Sequence, residues 1–167
     1  MRVLVAGMGN ELRGDDGFGV AVTHVLAERD LGAEVTVKEF GIGGINLVQE
    51  LLTTYDALLI VDAVRQGSAP GTLHLLEPTV VDIADLPDEV RRDFLADLHW
   101  ADPGRVLILA KALGVLPPQV LILGCQPQDV EDLSMVLTSS VEASLPRAMV
   151  AIDEALSRFA AQARLTA

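Results

Sequence analysis

Residues 57–61 (ALLIV) form an unbroken apolar run closed by an acid, Asp62. A strand that is apolar on both faces must be covered on both, which calls for helices on each side of a mainly parallel sheet. The neighbouring patterns agree. Residues 2–6 are a short β-branched-rich run ending at Gly7, and residues 34–40 alternate Val35 and Val37 with Thr36 and Lys38, as a strand nearer an edge does. Residues 72–76 follow a turn-rich stretch at 66–71, and residues 120–123 supply a fifth strand. Helical patterns fall between them at 17–27, 45–52 and 103–113. The third has clear end signals: Asp102 as N-cap, Pro103 in the first position and Gly114 just past the end. A last helix is expected over about 140–161, with the stripe Val141, Leu145, Met149, Ile152, Leu156 and Phe159. Pro146 either kinks it or marks its true start. Residues 82–98 are acidic and only partly periodic, which reads as a short helix or a mobile flap. Residues 1–163 are expected to form a single domain and 164–167 a frayed tail.

Composition narrows the function. The chain has 167 residues, 50% hydrophobic and 22% charged, enough to bury a core and too apolar for disorder. Its 12 basic against 24 acidic residues leave a net charge of −12, which repels nucleic-acid phosphates and anionic lipid heads, so neither is an expected partner. No apolar run reaches the ~18–20 residues of a membrane span. The longest candidate, 106–116, is interrupted by Lys111. The opening MRVLVAGMGN has one positive charge and a short apolar stretch, so it does not read as a signal peptide. The single cysteine, Cys125, rules out an internal disulfide framework and points to a reducing, cytoplasmic setting.

Ligands of open α/β sheets bind beyond the carboxyl ends of the strands, where strand order reverses. After the first strand comes Gly7-Met8-Gly9-Asn10-Glu11-Leu12-Arg13-Gly14-Asp15-Asp16-Gly17. The start resembles a dinucleotide fingerprint, but Leu12 stands at the third glycine, and a pyrophosphate would meet Asp15 and Asp16 instead of free N–H groups. A cation suits the loop better. One acid here is explained by helix capping; two in succession between Gly14 and Gly17 exceed it. We expect Asp15 to cap and Asp16 to face the crevice. Asp62 follows the most buried strand, where an unpaired carboxylate is costly. If the first and third strands are neighbours, Asp16 and Asp62 converge. His99, in a loop before a helix start, is the third candidate, while His24 and His74 sit inside a helix and a strand pattern and read as structural or surface residues. Two carboxylates and an imidazole with open positions suit zinc, nickel or iron. Cys125 has no histidine assigned near it and reads as packing. The serines lack a nucleophile-elbow context.

These residues resemble the nickel–iron hydrogenase maturation proteases, which trim the C-terminal extension from a hydrogenase large-subunit precursor. The segment from Gly7 to Gly19 is similar to the family's opening signature, Asp62 fits its second acid and His99 its histidine. Gly124-Cys125-Gln126-Pro127 and Leu137-Thr138 are similar to later family segments. The resemblance implies a three-layer α/β/α fold, with a five-stranded, mostly parallel twisted sheet containing one antiparallel strand. It implies that Asp16, Asp62 and His99 engage nickel and carry catalysis, and that the chain has no cofactor of its own, because the nickel arrives in the precursor. It implies a monomeric aspartic-type endopeptidase. Water would be activated by a carboxylate as general base or by nickel as Lewis acid. The loop after the second strand departs from the family's acid-glycine-glycine-threonine and reads Glu39-Phe40-Gly41-Ile42, followed by Gly43 and Gly44. Glu39, Gly41, Gly43 and Gly44 are the implied substrate-recognition residues, with Phe40 and Ile42 tuning them to one hydrogenase. Residues 82–98 have no family counterpart.

Two rivals remain at the level of sequence. A phosphoreceiver domain has an acid pair at the end of strand one and an acid ending strand three, but it needs a lysine after strand five, where this chain has Gly124-Cys125-Gln126-Pro127. A non-catalytic, nickel-dependent chaperone or checkpoint binder of the same precursor would use the same three residues without cutting.

Overall fold

The structure, a computed structural model, describes residues 1–96 and 102–166. Five strands form one sheet: β1 (Val3–Met8), β2 (Val35–Gly41), β3 (Ala57–Ala63), β4 (Leu73–Leu76) and β5 (Gln119–Cys125). Their order is β2-β1-β3-β5-β4. The pairs β1–β2, β1–β3 and β3–β5 are parallel, and β4 lies antiparallel on β5 at the edge. The continuous apolar run is therefore the central strand, and the alternating run, β2, is an edge.

The helices are α1 (Phe18–Ala27), α2 (Gly44–Glu50), α3 (Asp88–Ala96), α4 (Pro103–Ala112), α5 (Ser139–Glu142) and α6 (Leu145–Thr166). The period-two alternation of the strands sorts the core into two halves. Val3, Val5, Leu59 and Val61 pack with Phe18 and Val22 of α1 and with Ile152 and Phe159 of α6. Leu4, Ala6, Leu58 and Ile60 face the other way, onto Leu47 and Val48 of α2 and Val106 and Leu107 of α4. The result is the expected three-layer α/β/α arrangement.

Most ends follow from local chemistry. Asp102 caps α4, its Oδ1 accepting from the amides of Gly104 at 2.6 Å and Arg105 at 3.2 Å. Gly114 ends it with φ +70°, a conformation that suits glycine. In the last helix Pro146 marks the true start, the second of the two alternatives, and a separate short helix precedes it. The helical run breaks after α5, where the buried Ser144 hydroxyl donates to the Val141 carbonyl at 2.6 Å, and restarts at Leu145. Pro146 then lies in the first turn of α6, where its missing N–H is harmless. Helix α6 continues through Thr166, so residues 164–166 are helical where a frayed tail was expected. The acidic stretch resolves into a 3-10 turn, Ile83–Asp85, and α3.

Candidate active site

Strand order reverses between β1 and β3: α1 leaves β1 toward one face and α2 enters β3 from the other. The crevice at their carboxyl ends holds Asp16 and Asp62. Asp62 stands one residue from the end of β3 and is 6% exposed. Its Oδ1 accepts from the amide of Ala63 at 2.8 Å. Burial holds the Asp62 carboxyl well above the usual carboxylate range; the Ala63 amide pulls it back, and the negative charges of Asp16 and Asp102 push it further up.

Asp16 reaches the same place from the loop after β1. Both acids line a cavity of about 440 Å³ together with Asp102, Arg65, Pro103 and Ile122. Glycines let the loop come this close. A Cβ on Gly9, whose φ is +112°, would stand 1.8 Å from the Asp16 carbonyl oxygen and 3.2 Å from Asp62 Oδ1. A Cβ on Gly19 would stand 2.2 Å from the Val61 carbonyl oxygen. Past Gly9, the amide of Asn10 donates to Asp16 Oδ2 at 3.0 Å, which orients that carboxylate. The cavity thus gathers three carboxylates and one guanidinium, and Arg65 is already turned to Glu131 at 3.1 Å. Among the described residues the lining is net acidic, which favours a cation.

Sequence reasoning placed Asp16 in the crevice correctly and misassigned Asp15. Asp15 caps no helix; the N-cap of α1 is Gly17, without a side-chain cap bond. Asp15 is fully buried, and its carboxylate accepts from the amides of Gln128, Asp129 and Thr138 and from the Thr138 hydroxyl. The roles of Asp102 and Arg65 at the cavity were not foreseen. Asp102 showed only its capping signature, and an arginine after a strand carries no signal of its own.

His99 lies outside the described residues. Asp102, three residues further along, lines the cavity. Among the described residues no three of His, Cys, Asp and Glu are gathered to hold a metal ion. The glycine-rich segment after β2 sits at the same end of the sheet, although none of Glu39, Gly41, Gly43 and Gly44 lines the cavity. It is tied to the acidic loop where the Gly9 amide donates to the Gly41 carbonyl at 3.0 Å. Glu39 is exposed and pairs with His24 at 3.1 Å. His74 pairs with the Ser68 hydroxyl at 2.8 Å. Cys125 is buried, and burial pushes its thiol up, away from nucleophilic character.

Comparison with known proteins gives a consistent result. A family model described as hydrogenase maturation protease matches residues 20–155. The hydrogenase expression/formation protein HupD of Rhizobium leguminosarum bv. viciae is 34% identical over 152 residues, covering 89% of this chain and 70% of its own. Among solved structures, the hydrogenase maturating endopeptidase HybD from Escherichia coli superposes with a TM-score of 0.73 at 28% identity, covering 95% of this chain and 93% of that one. A hydrogenase 2 maturation peptidase from a Thaumarchaeota archaeon does so with a TM-score of 0.68 at 33% identity, covering 94% and 99%.

Proposed function

The chain belongs to the hydrogenase maturation protease family, and we propose that it removes the C-terminal extension of a nickel–iron hydrogenase large-subunit precursor after nickel insertion. The observation that carries this reading is the pairing of Asp16 with the buried Asp62 at one acidic cavity between the central strands. Burying a carboxylate without a cation is unfavourable, and a divalent ion entering the notch reverses that cost. In this reading the ion is the substrate's own nickel, so the chain needs no resident metal. Asp16 and Asp62 supply two of its ligands and His99 the third.

Docked nickel fixes the precursor so that the scissile peptide lies beside the notch. One carboxylate of the pair takes a proton from water as its oxygen attacks the peptide carbonyl carbon. The carbon–nitrogen bond then breaks, and the proton passes to the departing amine. This makes the chemistry aspartic-type. Glu39 and the glycine segment at Gly41, Gly43 and Gly44 contact the polypeptide beside the metal. The chain acts as a monomer in the cytoplasm; among the described residues no helix is long and apolar enough to cross a membrane.

The test is incubation with nickel-loaded and nickel-free precursor, followed by the mass of the large subunit. Loss of a C-terminal peptide from the nickel-loaded form alone is expected. Asp16→Ala and His99→Ala are each expected to lower processing by at least about 10²-fold while the protein stays folded. Nickel-dependent binding without shortening would make the chain a checkpoint binder, and normal processing by Asp16→Ala would remove the acid pair from the chemistry.

A further inference from the structure

Asp15 and Asp16 are adjacent, yet one is fully buried and the other lines the cavity. The 3-10 geometry of Gly14–Gly17 accounts for this, because with three residues per turn successive side chains diverge by about 120°. Asp15 therefore turns inward, and the partners of its carboxylate among the described residues all come from residues 128–138. Its Oδ2 accepts from the amides of Gln128 at 2.8 Å and Asp129 at 3.1 Å and from the Thr138 hydroxyl at 2.9 Å. Its Oδ1 accepts from the Thr138 amide at 2.7 Å. The backbone is clamped in parallel: the Gly14 amide donates to the Ser134 carbonyl at 2.7 Å, and the Asp15 amide to the Asp129 carbonyl at 2.9 Å. On the opposite side, Gly9 leaves just enough room for the Asp16 carbonyl, and the Asn10 amide holds Asp16 Oδ2.

We infer that Asp15 is a positioning residue of the active site: by bonding residues 128–138 it fixes the backbone from which Asp16 reaches the cavity. Packing alone would be served by an apolar side chain. A carboxylate is needed because three amides and a hydroxyl converge on one buried point, and only an anion accepts all four. No rotatable side-chain bond separates Asp15 from the peptide link to Asp16, so a shift of one backbone displaces the other. The consequence for processing rests on the reading of Asp16 as a nickel ligand; the structural coupling does not.

The Asn10 amide reports on Asp16 without any substrate, so two-dimensional amide NMR tests the coupling directly. Asp15→Asn, which puts an NH₂ or loses charge where four donors converge, and Thr138→Val are expected to move the Asn10 amide resonance. Its hydrogen exchange should quicken by at least about ten-fold, while the amides of Leu58 and Leu59 in β3 stay unchanged. Thr138→Ser, which keeps the hydroxyl, is expected to restore the wild-type Asn10 signal. In processing, Asp15→Asn should raise KM for nickel-loaded precursor and cut kcat/KM by about 10²-fold. An unmoved Asn10 amide in both variants overturns the inference, as does a change shared equally by the β3 amides. Failure of the wild-type protein to process any precursor would instead overturn the functional reading, with the Asn10 signal still deciding the role of Asp15.

Discussion

Asp62 is held in a place that its own charge disfavours. It is 6% exposed, among the described residues one backbone amide donates to it, and the charges of Asp16 and Asp102 that act on it are of its own sign. In the unfolded chain its carboxyl titrates at the ordinary value, and in the folded protein burial has raised it. At a pH below the ordinary value both states hold the proton and Asp62 is neutral to stability. As pH rises through that value the unfolded chain ionises first, so the folded state loses ground until pH passes the raised value. Asp62→Asn keeps an acceptor for the Ala63 amide and removes the charge. It is expected to raise the melting temperature at neutral pH while abolishing processing. Melting curves between about pH 4 and pH 8 should show the gain of the variant over wild type growing with pH. A gain that is constant or shrinks with pH would mean that Asp62 is already compensated when folded. Asp62 was legible from sequence because burial of the preceding strand made an acid there conspicuous. Asp15 was not: capping is a local pattern, whereas its real partners lie 113 to 123 residues away and include a loop with no regular structure.

At the scale of elements, the site depends on how closely α1 approaches the ends of β1 and β3. Gly19 sits at the start of α1 with the Val61 and Met8 carbonyl oxygens 2.2 Å and 2.3 Å from where a Cβ would be. Both obstacles are backbone, so neither can swing aside. Gly19→Ala must therefore lift α1 from the strands that carry the Asp16 loop and Asp62. A loss of about 1–3 kcal/mol, as for overpacked cores, is expected in urea unfolding, together with a fall in processing larger than the stability loss explains. Unchanged stability would show that α1 rides on the sheet less tightly than these distances require. Strand identities around this point were readable because a continuous apolar run and an alternating run leave different marks, whereas the adjacency of β1 and β3 stood in the sequence only as a condition. The break before α6 was readable only as one of two alternatives at Pro146, since Val141 and Leu145 keep helical spacing across it and the buried Ser144 interrupts the turn.

For the whole molecule, charge sets the environment in which the notch works. Twenty-four acids against 12 bases leave a net charge of −12 on one small domain. The ion pairs among the described residues, such as Arg29–Asp153 and Arg65–Glu131, lie at the surface, where each contributes about 0–1 kcal/mol. Two like charges about 10 Å apart in water repel by about 0.4 kcal/mol, and a twelve-charge excess adds many weaker, more distant repulsions. Repulsion should therefore outweigh attraction, and screening should favour the folded state. Raising sodium chloride from about 0.02 M to about 0.5 M, which shrinks the screening length several-fold, is expected to increase the melting temperature by a few degrees. Chloride is the proper anion, since sulfate would stabilise through exclusion from the surface whatever the charge. A melting temperature that falls with added chloride would show that the surface pairs dominate. On the proposed function the same field bears on recognition, because it would draw a cation exposed on the precursor toward the acidic notch over a distance that salt shortens. The rate of precursor capture should accordingly drop across the salt range that stabilises the fold, and stopped-flow association at both ends of that range reads the two effects apart.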